Sequence, residues 1–280
     1  MKFQCRYLNL GLFFTLIFTS NVTVASPQSK QHHAPHWSYG GATGSSHWAE
    51  LNHGFALCGS GKRQSPVDVY SQELENLYSL QFNYDNIPLQ LINNGHTLQA
   101  NYKDVGKQNT VMIGGKSYPL VAKAEYNSEL MLGDVPYKLL QFHYHTPSEH
   151  AFNGKRYAME VHLVHKNTNG NLAVVGVFIK AGNHNELLQQ VLDNISSTVN
   201  QTSIIKDVLI NAATLLPENR GFFYYNGSLT TPPCSENVNW FVMRNPIEAS
   251  SEQVNRFAQL IGKNARPLQP LNWRNPLGSL

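Results

Sequence analysis

Tyr137-Lys138-Leu139-Leu140-Gln141-Phe142-His143-Tyr144-His145 reads as a β-strand, because from Gln141 onward polar and apolar side chains alternate at the period of a pleated chain. Alternation puts Gln141, His143 and His145 on one face and Phe142 and Tyr144 on the other, packed into apolar surroundings. The two histidines are then separated by roughly 6.5 to 7 Å of strand rise. Ala158-Met159-Glu160-Val161-His162-Leu163-Val164-His165 repeats the pattern, with Glu160, His162 and Val164 sharing a face and Val161, Leu163 and His165 the opposite one.

If these two strands are neighbours, three imidazoles converge. Three neutral nitrogens with one open position describe a catalytic zinc site rather than a structural one. Spacing alone leaves a metal site and ordinary strand histidines equally open. His47, His53, His165 and His184 have no partner at ligand spacing and read as structural or solvated histidines.

Working outward, Leu89–Ile92, Thr97–Tyr102 and Leu172–Ile179 carry the same β-branched, aromatic and alternating character, with turn residues between them. Helices are expected at Glu186–Ser196, at Ser203–Ala213 and in the stretch opened by Ser250-Ser251-Glu252-Gln253, where Ser250 and Gln253 form a capping-box pattern. The chain has 280 residues, 41% of them hydrophobic and 14% charged, enough to bury one large core. The expected fold is therefore mainly β with peripheral helices, in a single domain.

The N-terminus stands apart. Lys2 and Arg6 precede the apolar run Leu8–Phe18, and small residues follow at Thr23, Val24, Ala25 and Ser26, the layout of a secretory signal peptide. The run is shorter than the ~20 residues a membrane span needs. Residues 1–25 are thus expected to be a cleaved signal, 26–35 a flexible polar leader and 36–280 the domain, exported to a periplasm or secreted. Removing Lys2 and Arg6 lowers the formal charge from +3 to about +1, which offers no field for nucleic acid or anionic lipid. Cys5 leaves with the signal. Cys58 and Cys234 remain as the one cysteine pair in a chain bound for an oxidising compartment, so a disulfide is expected.

Cupins use similar spacing, a His-x-His followed by Glu and Gly, and His143, His145, Glu149 and Gly154 partly satisfy it. Their second motif fails here, since no Gly or Pro shortly precedes His162 and Lys166 stands where Asn is required. Gln141–His145, Ser148-Glu149-His150, Glu160–His165, Gly227-Ser228-Leu229-Thr230-Thr231-Pro232-Pro233 and Asn93-Asn94-Gly95-His96 resemble instead the motifs of the alpha-class carbonic anhydrases, in order. His36-Trp37-Ser38-Tyr39-Gly40, Arg63-Gln64-Ser65-Pro66-Val67 and Arg266-Pro267-Leu268-Gln269-Pro270 extend the likeness from residue 36 to about 274.

That resemblance implies a large, mostly antiparallel twisted central sheet with one Zn2+ in a central funnel. It implies reversible hydration of carbon dioxide to bicarbonate and a proton, with His143, His145 and His162 as metal ligands and Gln141 and Glu160 orienting His143 and His162. Thr230 and Glu149 resemble the pair that aims the attacking oxygen. Val164, Val174, Leu229, Val238 and Trp240 resemble the apolar substrate pocket, and Thr231 the bicarbonate contact. His96 resembles the proton shuttle, with Tyr39, Asn94 and Gln99 ordering the intervening waters. Inhibition by sulfonamides and anions follows from the same likeness, and a homodimer stays open. Thr146-Pro147 stands where many animal members carry Trp-Gly and a longer loop, which marks a compact bacterial-type member. Two alternatives remain beside this reading: a non-catalytic binding module of the same fold, and a zinc-hydroxide esterase.

Overall fold

The structure, a computed structural model, describes residues 36–70, 74–75, 77, 79–102, 107–113, 116–122 and 127–279. The expected signal peptide (1–25) and leader (26–35) lie outside the described residues. Eight strands build the part of the sheet around the histidines: β1 (Ile87–Asn93), β2 (Leu98–Asn101), β3 (Val135–His145), β4 (Met159–Lys166), β5 (Leu172–Ala181), β6 (Thr202–Ile210), β7 (Phe222–Ser228) and β8 (Glu236–Ala249). They run in the order β6-β1-β2-β3-β4-β5-β8-β7 within one twelve-stranded sheet, which places β3 and β4 in its middle. Pairings along this path are antiparallel except β5 with β8, which is parallel. The expected β-dominated architecture is what the chain forms.

The two faces of the sheet bury different things. Phe142, Tyr144, Val161, Leu163, Val175 and Val177 belong to the main hydrophobic core. Onto it pack α1 (Glu186–Asn194), through Leu187, Leu188, Val191 and Leu192, and α2 (Ser251–Ile261), through Phe257. Both helices start where the sequence says they should. Ser250 accepts from Gln253 N and Gln253 returns the bond, closing the capping box at α2. The other face carries the histidines.

Ser203–Ala213 is not a helix. Residues Thr202–Ile210 form β6, paired antiparallel with β1 from Thr202↔Ile92 to Ile210↔Ile87, and only Ala212–Leu215 makes a short helical turn. Ile204, Ile205, Val208 and Ile210 are stiff at χ1 and suit a pleated surface better than a helix. Ile205 and Val208 pack on the core while Ile204 and Leu209 stay exposed, with a register shift between Ile205 and Leu209. Strands β7 and β8 are further elements that the sequence reading did not mark.

Candidate metal centre

Strand register brings the three histidines together. On β4 against β3, His162 lies directly opposite His143 and Glu160 opposite His145. Ring centroids are 5.0 Å apart for His143 and His145, 5.3 Å for His143 and His162, and 4.6 Å for His145 and His162. One ligand nitrogen from each falls within 4.8 Å of the others.

The remaining nitrogen of every ring is already held. His143 Nδ1 lies 2.8 Å from Gln141 Oε1, His145 Nδ1 lies 2.7 Å from the Asn264 carbonyl, and His162 Nε2 lies 2.8 Å from Glu160 Oε1. These oxygens only accept, so those nitrogens carry the protons and His143 Nε2, His145 Nε2 and His162 Nδ1 keep bare lone pairs. His145 Nε2 is buried without a hydrogen-bond partner. An orphaned buried acceptor is costly, and this one, set beside the bare nitrogens of His143 and His162, fits a divalent cation.

Protonation states agree. Burial, then His145 and His162, push His143 well below the ordinary histidine range, with Glu160 opposing. Burial lowers His145 too, against the pull of Glu149. Burial pulls Glu160 upward, but His150 and His162 outweigh it and hold the carboxyl well below the usual range.

Glu149 sits beside this cluster, fully buried. Its Oε1 accepts from Arg266 N at 2.8 Å. Its Oε2 has no hydrogen-bond partner and lies 3.5 Å from His145 Nε2 and 3.9 Å from His162 Nδ1. Thr230 is buried as well, yet its hydroxyl does not reach that oxygen.

A pocket of about 130 Å³ opens over His143 and His145 and is lined by Gln141, Tyr39, Asn94, Gln99, His96 and Thr231. His96 stacks on Trp37 at 3.6 Å and 7°. Burial and then the neighbouring His36 lower its pKa. Burial, then Glu149, raise the Tyr39 phenol well above its usual value. Asn94 Oδ1 accepts from His96 N and Thr97 N, both at 2.9 Å, which fixes the turn that carries His96.

Val174, Val238 and Trp240 are buried in a second hydrophobic cluster, separate from the main core, with Val164 and Leu229 packed against it. Trp240 meets His162 edge-on at 4.8 Å. Cys58 and Cys234 are joined as a disulfide. His165, apart from the cluster, is buried between Tyr84 Oη and the Ala173 carbonyl, as a structural histidine should be.

Two contributors escaped the sequence reading. Asn264 holds His145 through its backbone oxygen, and a carbonyl leaves no trace in residue identity. His150 donates from its backbone N and lies at 2.7 Å through Nδ1 from the Glu160 carboxylate, but nothing in its spacing suggested a partner.

Residues 43–277 match the family profile described as eukaryotic-type carbonic anhydrase. The chain belongs to the alpha-class carbonic anhydrase family. A carbonic anhydrase of Nostoc sp. is 42% identical over 243 residues, covering 85% of this chain and 84% of its own. The solved alpha-carbonic anhydrase of Photobacterium profundum superposes with a TM-score of 0.73 at 38% identity, over 86% of this chain and all 100% of its own. That of Thermovibrio ammonificans, solved with the inhibitor sulfanilamide, gives 0.74 at 37%, over 88% and 100%. As a carbonic anhydrase, the protein is an enzyme of reversible carbon dioxide hydration.

Proposed function

We propose that His143 Nε2, His145 Nε2 and His162 Nδ1 hold one zinc ion, and that the residues around them divide the work of hydration. In carbonic anhydrase, zinc lowers the pKa of bound water to about 7 and so supplies the nucleophile at neutral pH. Gln141 and Glu160 fix the tautomers of His143 and His162, raising their basicity toward the metal. With the metal bound, the unpartnered Glu149 Oε2 would accept from the Thr230 hydroxyl, a contact the two side chains do not make in the structure. Thr230 then keeps an oxygen lone pair to accept from the attacking oxygen, which aims that oxygen at the substrate.

Carbon dioxide has no net charge or dipole, so its pocket needs apolar walls. Val164, Val174, Leu229, Val238 and Trp240 supply them, and Thr231 contacts bicarbonate. The proton leaves through the pocket over His143, where Tyr39, Asn94 and Gln99 order water toward His96. Sulfonamides and small anions are expected to compete at the open position. Export through residues 1–25 suits the Cys58–Cys234 bridge, since such bonds persist in oxidising compartments.

The buried, unpartnered His145 Nε2 beside two other bare imidazole nitrogens is the observation that carries this reading. Elemental analysis of dialysed protein tests it. One zinc per chain, lost in His145→Ala together with carbon dioxide hydration, is expected; under about half an equivalent in the wild type refutes it.

A further inference from the structure

The Glu160 carboxylate, which orients His162, is itself placed by two residues that are not among the three histidines facing the metal position. On β5, Gly176 pairs with His162 across the β4–β5 ladder, so any side chain at 176 would rise on the same face as Glu160 and His162. A methyl group there would stand 2.8 Å from Glu160 Oε1, 3.6 Å from the Trp240 ring and 3.8 Å from the His162 ring. The Glu160 carboxylate occupies the hollow that the missing side chain leaves.

A carboxylate end usually swings aside cheaply, but this one is pinned. It is fully buried, and His150 N (2.8 Å), His150 Nδ1 (2.7 Å) and His162 Nε2 (2.8 Å) all bond to it. His150 is anchored from behind, with Tyr225 Oη 2.7 Å from its Nε2 and Ser65 Oγ 2.8 Å beyond. Backbone propensity argues against glycine at a strand interior, where alanine is the more stable choice. The hollow therefore has a reason other than strand stability.

We propose that Gly176 and His150 are positioning residues for the metal centre. Gly176 gives Glu160 its seat, His150 holds it there, and the outcome is the direction in which His162 Nδ1 points. This inference rests on the reading of the three histidines as zinc ligands. The orientation of a metal-bound imidazole by its hydrogen-bonded partner commonly sets affinity by 10- to 100-fold, and Gly176→Ala acts on that partner.

The test measures zinc release into excess chelator, and the visible spectrum of the cobalt(II)-substituted protein, for the wild type and four variants. Gly176→Ala is expected to release zinc roughly 10- to 100-fold faster and to alter the cobalt bands. Gly182→Ala is the control, since its methyl would also strike a glutamate, with Glu248 Cδ at 2.6 Å and Oε2 at 2.8 Å, while none of its three nearest atoms belongs to a histidine. It should release zinc at the wild-type rate. His150→Asn keeps a donor near the position of Nδ1 and His150→Leu does not, so Asn should retain most of the affinity that Leu loses. Should His150→Leu fail to fold, Gly176→Ala decides alone. Wild-type zinc release and an unchanged cobalt spectrum in Gly176→Ala overturn the proposal. A wild type that binds no zinc overturns instead the reading beneath it.

Discussion

Arg266 donates its backbone N–H to Glu149 Oε1 at 2.8 Å, across 117 positions of sequence, while its guanidinium ties down the disulfide region. Arg266 Nη2 donates to the Cys58 carbonyl, and Nη1 to the Ser65 carbonyl and Gln64 Oε1; Gln64 in turn donates to the Cys234 carbonyl. The group is buried over the Trp48 ring, and burial pulls its pKa down to about 10. Lysine is a point charge and cannot serve acceptors spread across a planar fork. Arg266→Lys is expected to cost about 2–4 kcal/mol in urea unfolding and to lower kcat/KM with it. A loss below about 0.5 kcal/mol, the usual range of a surface substitution, would refute the strut.

The disulfide closes a loop of 176 positions. Loop-closure entropy gives such a bond an upper contribution of about 5 kcal/mol. Cys58→Ser with Cys234→Ser should lower stability by up to that amount. Thiol titration of the unfolded, unreduced chain from residue 36 onward should find no free thiol, and two reactive thiols would contradict the bond.

Tyr144 carries a buried hydroxyl with no hydrogen-bond partner, with Phe142 and Phe257 rings at 5.9 and 6.1 Å. Burying an unbonded hydroxyl costs about 1–3 kcal/mol by mutational measures. Tyr144→Phe removes the group and leaves the ring, so stability should hold or rise by about 1 kcal/mol. A clear loss in thermal or urea unfolding would show that the hydroxyl has a partner after all.

What the sequence revealed follows from what each feature depends on. His143 and His145 declared a face through strand alternation, and His162 declared the same face on its own strand, so the ligand set needed only the β3–β4 pairing to be complete. Glu149 and Thr230 had no such geometry behind them and were visible through family motifs alone. β6 was misread because Ser203, Lys206 and Asp207 among aliphatic residues mimic a helical period, and only the free edge of β1 gives the segment its strand partner. Asn264 and Gly176 act through a carbonyl and an absent side chain, neither of which has a pattern to read.

His165 is predicted to make folding acid-sensitive apart from the metal. Burial, against bonds to the Ala173 and Leu163 backbone, lowers its pKa to about 3, whereas an unfolded histidine titrates near 6.5. Between these values the unfolded chain binds a proton that the folded chain refuses. The contribution is therefore intact above about pH 6.5 and is lost as pH falls toward 3, at about 1.4 kcal/mol per unit. His165→Gln should flatten the slope of stability against pH by about that amount between roughly pH 6 and 4, as read from urea midpoints. Parallel wild-type and variant slopes would assign the acid sensitivity elsewhere.

His96 gives the sharpest kinetic prediction. It lines the pocket over His143 and is held by its stack on Trp37, with burial and then His36 lowering its pKa. Only the neutral ring accepts a proton, so turnover in weak buffer should rise with pH through a midpoint below 6.5. His96→Ala should cut kcat on the order of 10- to 100-fold in weak buffer and leave kcat/KM near wild type, because hydration precedes the transfer. Added imidazole should restore the rate. Trp37→Ala opens the ring to water, which should move the midpoint back toward the ordinary histidine value. Stopped-flow hydration across pH reads all of these, and an unchanged kcat in His96→Ala would remove His96 from the proton path.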